Sequence, residues 1–144
     1  MYEKLIINAD DFGLSSGVNR GIIECHEAET VTSTTLMAQG AAAEEAAVLA
    51  VEHPRLGVGV HLNLTSGRPV LPADRVPSLV DRAGLFPGRS RALLWLTTGR
   101  TRTAHLEAEI AAQIERCRSL GVEPTHVDSH HHLHAHPRLR AILG

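Results

Sequence analysis

Hydrophobic and polar positions along the chain follow two periods. Lys4–Ala9 holds an apolar run, Leu5-Ile6-Ile7, without alternation, which predicts a strand covered on both faces; it closes in Asn8-Ala9-Asp10-Asp11-Phe12-Gly13. Ser15 or Ser16 then offers an N-cap, and Val18, Ile22, Cys25 and Ala28 recur at helical spacing to about Glu29. Val31–Ala38 is rich in β-branched residues and predicts a second strand, and Ala42–Glu52 a helix stopped by His53-Pro54. In Gly57–Leu64, Val58, Val60, Leu62 and Leu64 alternate with Gly59, His61 and Asn63, the pattern of a third strand.

Periodicity breaks down from Thr65 to Thr101, a stretch rich in proline and glycine with apolar islands at Ser78–Val80 and Ala92–Leu96. It predicts a long excursion containing one short helix, and loops of that length in compact domains commonly serve binding. Leu106, Ile110, Ile114, Cys117 and Leu120 then line one helical face up to Gly121. Pro124–Asp128 predicts a fourth strand, and Pro137–Leu143 the start of another helix. Strands alternating with helices imply parallel βαβ units within one domain over residues 1–144.

The chemistry concentrates after the fourth strand. Six of the ten histidines fall between His126 and His136, interleaved with Asp128, and crowded imidazoles point first to a metal. A solvated His-rich loop is the plain alternative. In parallel α/β folds the carboxyl ends of strands converge on one face, and that rule gathers Asp10 and Asp11, His61 and His130. Taken singly, the aspartates could cap a turn and His61 could be a satisfied polar residue; convergence favours a site. Adjacent carboxylates can divide the work, one binding metal and the other acting as general base toward a water beside it. Asp128 either ligates directly or orients a histidine.

Composition narrows the partners. With 43% apolar and 21% charged residues, formal net charge −2 and no basic run, nothing suggests nucleic acid or an anionic membrane. The apolar runs are too short or too interrupted to span a bilayer, and the N-terminus has no signal-peptide pattern. Cys25 and Cys117 lack a spacing motif and read as reduced core thiols, so a cytoplasmic location is expected.

NADDFGLS, VTSTTLM, GVGVHLNLT and THVDSHHHLH, in this order from residue 7 to residue 137, resemble the YdjC-like carbohydrate deacetylases, and the SHHH form is similar to the chitooligosaccharide branch. The resemblance implies a (β/α) TIM-barrel-like deacetylase fold, of which this chain supplies about the first half. It implies an enzyme that removes the acetyl group from N-acetylated amino sugars, with one divalent metal on Asp11, His61 and His130 and with Asp10 as base. Spacing alone does not separate His130 from His131, His132 or His134. The acid that protonates the departing amine is expected either among His131, His132 and His134, with His132 taken as the candidate, or in the half of the fold that this chain does not supply. Two imidazoles and a carboxylate suit Zn2+, Co2+ or Ni2+; the family resemblance also admits Mg2+.

Family members are about twice this length, so a shortened chain is expected, with open strand edges that make a homodimer the expected assembly. The expected partner is a small carbohydrate, with neither nucleic acid nor membrane. Two other readings stand beside the deacetylase: a catalytically silent metal- or sugar-binding module, and another metal-dependent hydrolase such as a phosphodiesterase.

Overall fold

The computed structural model describes residues 5–144. Four strands, β1 (Asn8–Phe12), β2 (Ser33–Leu36), β3 (Gly57–Leu62) and β4 (Val127–Ser129), form one parallel sheet in the order β1-β2-β3-β4. Strands that follow one another in sequence and space, without reversal, are wound as in a (β/α) barrel rather than an open doubly wound sheet. Helices α1 (Ser16–Glu27), α2 (Ala43–Glu52), α3 (Arg89–Thr97), α4 (Thr103–Ser119) and α5 (Pro137–Leu143) complete the chain, with a short 3-10 segment at His130–Ala135.

The two faces of the sheet differ because side chains alternate along each strand. Phe12, Leu36, Val58, Val60 and Leu62 share a core with Ile22 and Ile23 of α1, Ala46 and Ala47 of α2, and Leu106, Ile110 and Cys117 of α4. The other face carries Asn8, Asp10, Ser33, Thr35, His61 and Asp128, joined to one another by side-chain hydrogen bonds.

The first strand lies later than its apolar run predicts. Pairing begins at Asn8 opposite Ser33, while Leu5 and Ile6 are each 76% exposed and Ile7 is also exposed; Lys4 lies outside the described residues. Local hydrophobicity pointed to a strand covered on both faces, but pairing here is fixed by the Ser33–Asn8 hydrogen bond and by Phe12, which is fully buried. The face of α1 is rotated as well. Asn19, Ile22 and Ile23 are buried and Cys25 is exposed, so Cys25 is not a core thiol; Cys117 is. Asn19 takes the inward place because its Oδ1 accepts from the Gly13 amide (2.7 Å) and its Nδ2 donates to the Ala42 carbonyl (3.1 Å), tying the loop after β1 to the start of α2. Burial in apolar surroundings pushes the Cys117 thiol up to about 11.

Residues 65–101 do contain one helix, α3, and they are packed rather than loose. Val76, Leu79, Val80, Phe86, Trp95 and Leu96 are buried. Two polar residues of α4, which an apolar pattern passes over, fasten this excursion and the end of β3. Glu109 accepts from the Val70 and Leu71 amides (2.8 and 3.1 Å), and the Gln113 carboxamide exchanges two hydrogen bonds with the Asn63 main chain (2.9 and 2.8 Å). Both are fully buried, which their satisfied hydrogen bonds permit. No helix among the described residues is long and apolar enough to cross a membrane.

Candidate metal centre

The site begins with an irregularity in β1. Ala9 pairs with Thr34 and Phe12 with Leu36, so Asp10 and Asp11 together oppose the single residue Thr35, a β-bulge. Asp11 takes the left-handed conformation there, at φ 66°. A regular strand would send neighbouring side chains to opposite faces. The bulge instead brings carboxylate oxygens of both Asp10 and Asp11 within 4.8 Å of His61 ring nitrogens. Asp10 and Asp11 thus lie within the strand, not beyond its end, and both reach His61.

His61, 1% exposed near the end of β3, is held from behind. Its Nδ1 lies 2.6 Å from Asp128 Oδ1, and Thr35 Oγ1 donates to Asp128 Oδ2 at 3.0 Å. The carboxylate accepts a hydrogen bond from Nδ1–H and so fixes the tautomer whose Nε2 lone pair faces Asp11. Burial alone would lower the His61 pKa, but the Asp128 hydrogen bond and the charges of Asp128, Asp11 and Asp10 outweigh it and raise the pKa. Burial likewise pushes Asp128 up, and its His61 and Thr35 partners bring the net shift below the ordinary range.

His130 arrives from the turn after β4. Ser129 Oγ accepts from the His134 amide at 2.8 Å, and Leu133 is buried in the core, so the turn is pinned at both ends. His131 and His132 adopt φ values of 59° and 54°. Among the described residues, Asp11, His131 and His132 are three of the four non-glycine residues with positive φ, which places most of this costly conformation at one site.

Asp11 Oδ1, His61 Nε2 and His130 Nδ1 close a triangle with sides of 3.1, 2.9 and 3.4 Å. Asp11 Oδ1 is buried and has no hydrogen-bond partner, although two ring nitrogens stand that close. Three acceptor-capable atoms crowded in this way, one of them the unpartnered Asp11 Oδ1, suit a shared cation. Ligands about 2.1 Å from a small divalent ion are separated by about 3.0 to 3.4 Å in octahedral and tetrahedral shells. The donor set therefore fits such an ion.

The remaining sequence candidates fall into place around it. Asp10 shares a second grouping with His61 and Asp128. The His131 ring centroid lies 4.1 Å from that of His130, and its Nδ1 is 3.0 Å from Thr65 Oγ1. Burial, His130 and Arg89 lower its pKa. His132 is exposed, and its ring neighbour is His134 at 6.1 Å. Asn8 and Thr35 belong to the site but carried no signal in composition; alternation along β1 and β2 placed them on the same face as Asp10 and could have found them.

A barrel-type α/β chain with a carboxylate–imidazole centre at its strand ends is the class that fold and site define. Residues 4–144 match the family described as YdjC-like protein, and the chain belongs to that family. It is 54% identical over 138 residues to a carbohydrate deacetylase of Geobacillus stearothermophilus, covering 96% of this chain and 53% of that protein. It is 40% identical over 146 residues to a chitooligosaccharide deacetylase of Serratia marcescens, covering 99% and 55%. A solved structure from Enterococcus faecalis V583, provisionally named a cellobiose-phosphate cleavage protein, superposes with TM-score 0.87 at 39% identity, over 96% of this chain and 52% of that one. The chain thus spans about half the length of the curated relatives it matches.

Proposed function

We propose that this chain carries the metal centre of a carbohydrate deacetylase that hydrolyses the N-acetyl group of amino sugars, chitooligosaccharides first among them, to acetate and a free amine. The observation that supports it most is the buried, unbonded Asp11 Oδ1 beside His61 Nε2 and His130 Nδ1. Asp11, His61 and His130 would hold one divalent ion, for which two imidazoles and a carboxylate favour Zn2+, Co2+ or Ni2+ over Mg2+. When bound, such an ion polarises an acetyl carbonyl and acidifies a neighbouring water.

The protein's own groups do the rest. Asp10, on the same face as His61 and open to solvent, takes the proton of the attacking water. Asp128 keeps His61 in the tautomer whose Nε2 is unprotonated. As the C–N bond of the tetrahedral species breaks, the departing nitrogen must gain a proton. His132, exposed on the turn and able to exchange with solvent, donates it.

The test is acetate release from short chitooligosaccharides by the chelator-stripped chain, titrated with Zn2+, Mg2+, Ni2+ and Co2+. Metal-dependent release that falls about 10²- to 10⁴-fold in Asp10→Asn is expected. Stoichiometric metal binding with no release under any metal would make the chain a binding module instead.

A further inference from the structure

Asp10 stands on an edge strand and is exposed, and among the described residues its carboxylate has one side-chain hydrogen bond, from Asn8 Nδ2 at 2.9 Å. A base whose orientation matters would otherwise be free to turn. The same Nδ2 reaches Asp128 Oδ2 at 3.4 Å, so one amide faces the two carboxylates that flank His61. The other end of Asn8 is fixed as well. Its Oδ1 accepts from Ser33 Oγ at 2.7 Å and lies 3.4 Å from His126 Nε2. Ser33 Oγ also lies 3.2 Å from His126 Nε2.

The orientation of this amide is decided by its neighbours. Turned over, its carbonyl oxygen would meet the Asp10 and Asp128 carboxylates, acceptor against acceptor. The His126 ring that completes the anchor depends on a missing side chain. A Cβ at Gly59 would stand 2.7 Å from both Cδ2 and Nε2 of that ring, so only glycine lets the imidazole lie against the sheet.

We propose that Asn8 is a positioning residue: clamped by Ser33 and His126, its amide holds the Asp10 carboxylate in one rotamer and ties it to Asp128, and so to His61. The assignment rests on the deacetylase reading for its consequence in catalysis, but its structural content can be measured without turnover.

The experiment reads the Asp10 χ1 angle from NMR scalar couplings in the full chain and in Asn8→Ala, alongside acetate-release kinetics. A single Asp10 rotamer in the wild type and averaged couplings in Asn8→Ala are expected, with Ser33→Ala between them. In turnover, kcat should fall about 10- to 100-fold with KM unchanged, the range typical of groups that orient catalytic ligands. Asn8→Ala should cost nothing further in an Asp10→Asn background. A merely structural role would lower stability and multiply with Asp10→Asn. Identical Asp10 couplings in the wild type and Asn8→Ala, or multiplying losses, would overturn the assignment. A wild-type chain that releases no acetate would overturn the deacetylase reading, and the couplings would still decide the role of Asn8.

Discussion

The two faces of one four-stranded sheet were built under opposite demands. On the helix-covered face, Leu36, Val58, Val60 and Leu62 meet α1, α2 and α4 and are almost fully buried. On the other, the same strands present Ser33, Thr35, His61 and Asp128 in a hydrogen-bonded chain that ends at three metal-competent atoms. Burying apolar area is non-directional, whereas a ligand set needs each atom aimed. The first face therefore tolerates exchange of similar shapes, while the second depends on single atoms, such as the Asp128 oxygen behind His61.

The contrast predicts separable effects. Leu36→Ala, on the covered face, should lower unfolding free energy by about 2–5 kcal/mol in a denaturant titration. The folded fraction should bind Zn2+ as before; a parallel loss of affinity would mean that the faces are not independent. Asp128→Asn should do the reverse, weakening Zn2+ binding about 10- to 100-fold by calorimetry. Its denaturation midpoint should move less than that of Leu36→Ala.

The smallest effect concerns pH. Burial raises the Glu109 pKa, and the hydrogen bonds from Gln113, Val70 and Leu71 only partly offset it. The folded chain then keeps this proton where the unfolded chain has lost it. Stability contributed by Glu109 is full at pH below the ordinary glutamate value and declines as pH rises through the raised one. Thermal melts across that window should slope downward in the wild type and be flatter in Glu109→Gln. Equal slopes would show that Glu109 ionises in the folded chain as it does in the unfolded one.

What the sequence revealed follows the same division. The covered face is periodic, so Val58, Val60 and Leu62 marked β3, which ends at Leu62 and leaves the buried Leu64 beyond it, and Leu106, Ile110 and Cys117 marked the buried side of α4. The local rule failed where a polar side chain took an inward place through hydrogen bonds, as with Asn19, Glu109 and Gln113, because periodicity does not register a satisfied amide or carboxylate. It also misplaced β1, since Leu5–Ile7 reads as a buried strand while pairing starts at Asn8. For the site, convergence at strand ends gathered Asp10, Asp11, His61 and His130, and the family resemblance singled out Asp11, His61 and His130, which do lie together. The bulge that turns Asp10 and Asp11 to one side was not legible, because it arises from the pairing of β1 with β2 and has no glycine to announce it. Nor did the histidine run reveal which rings face inward; that depends on Ser129 and Leu133 pinning the turn.

Whether Asp11, His61 and His130 together form one divalent-ion site is decided by calorimetric Zn2+ titration of the chelator-stripped chain. Four further histidines, His131, His132, His134 and His136, lie close by in sequence, so the informative quantity is the tight site and the variants that remove it. One tight ion per chain, lost in both Asp11→Asn and His130→Ala and retained in His136→Ala, is the predicted result. Tight binding that survives Asp11→Asn and His130→Ala would contradict the assignment.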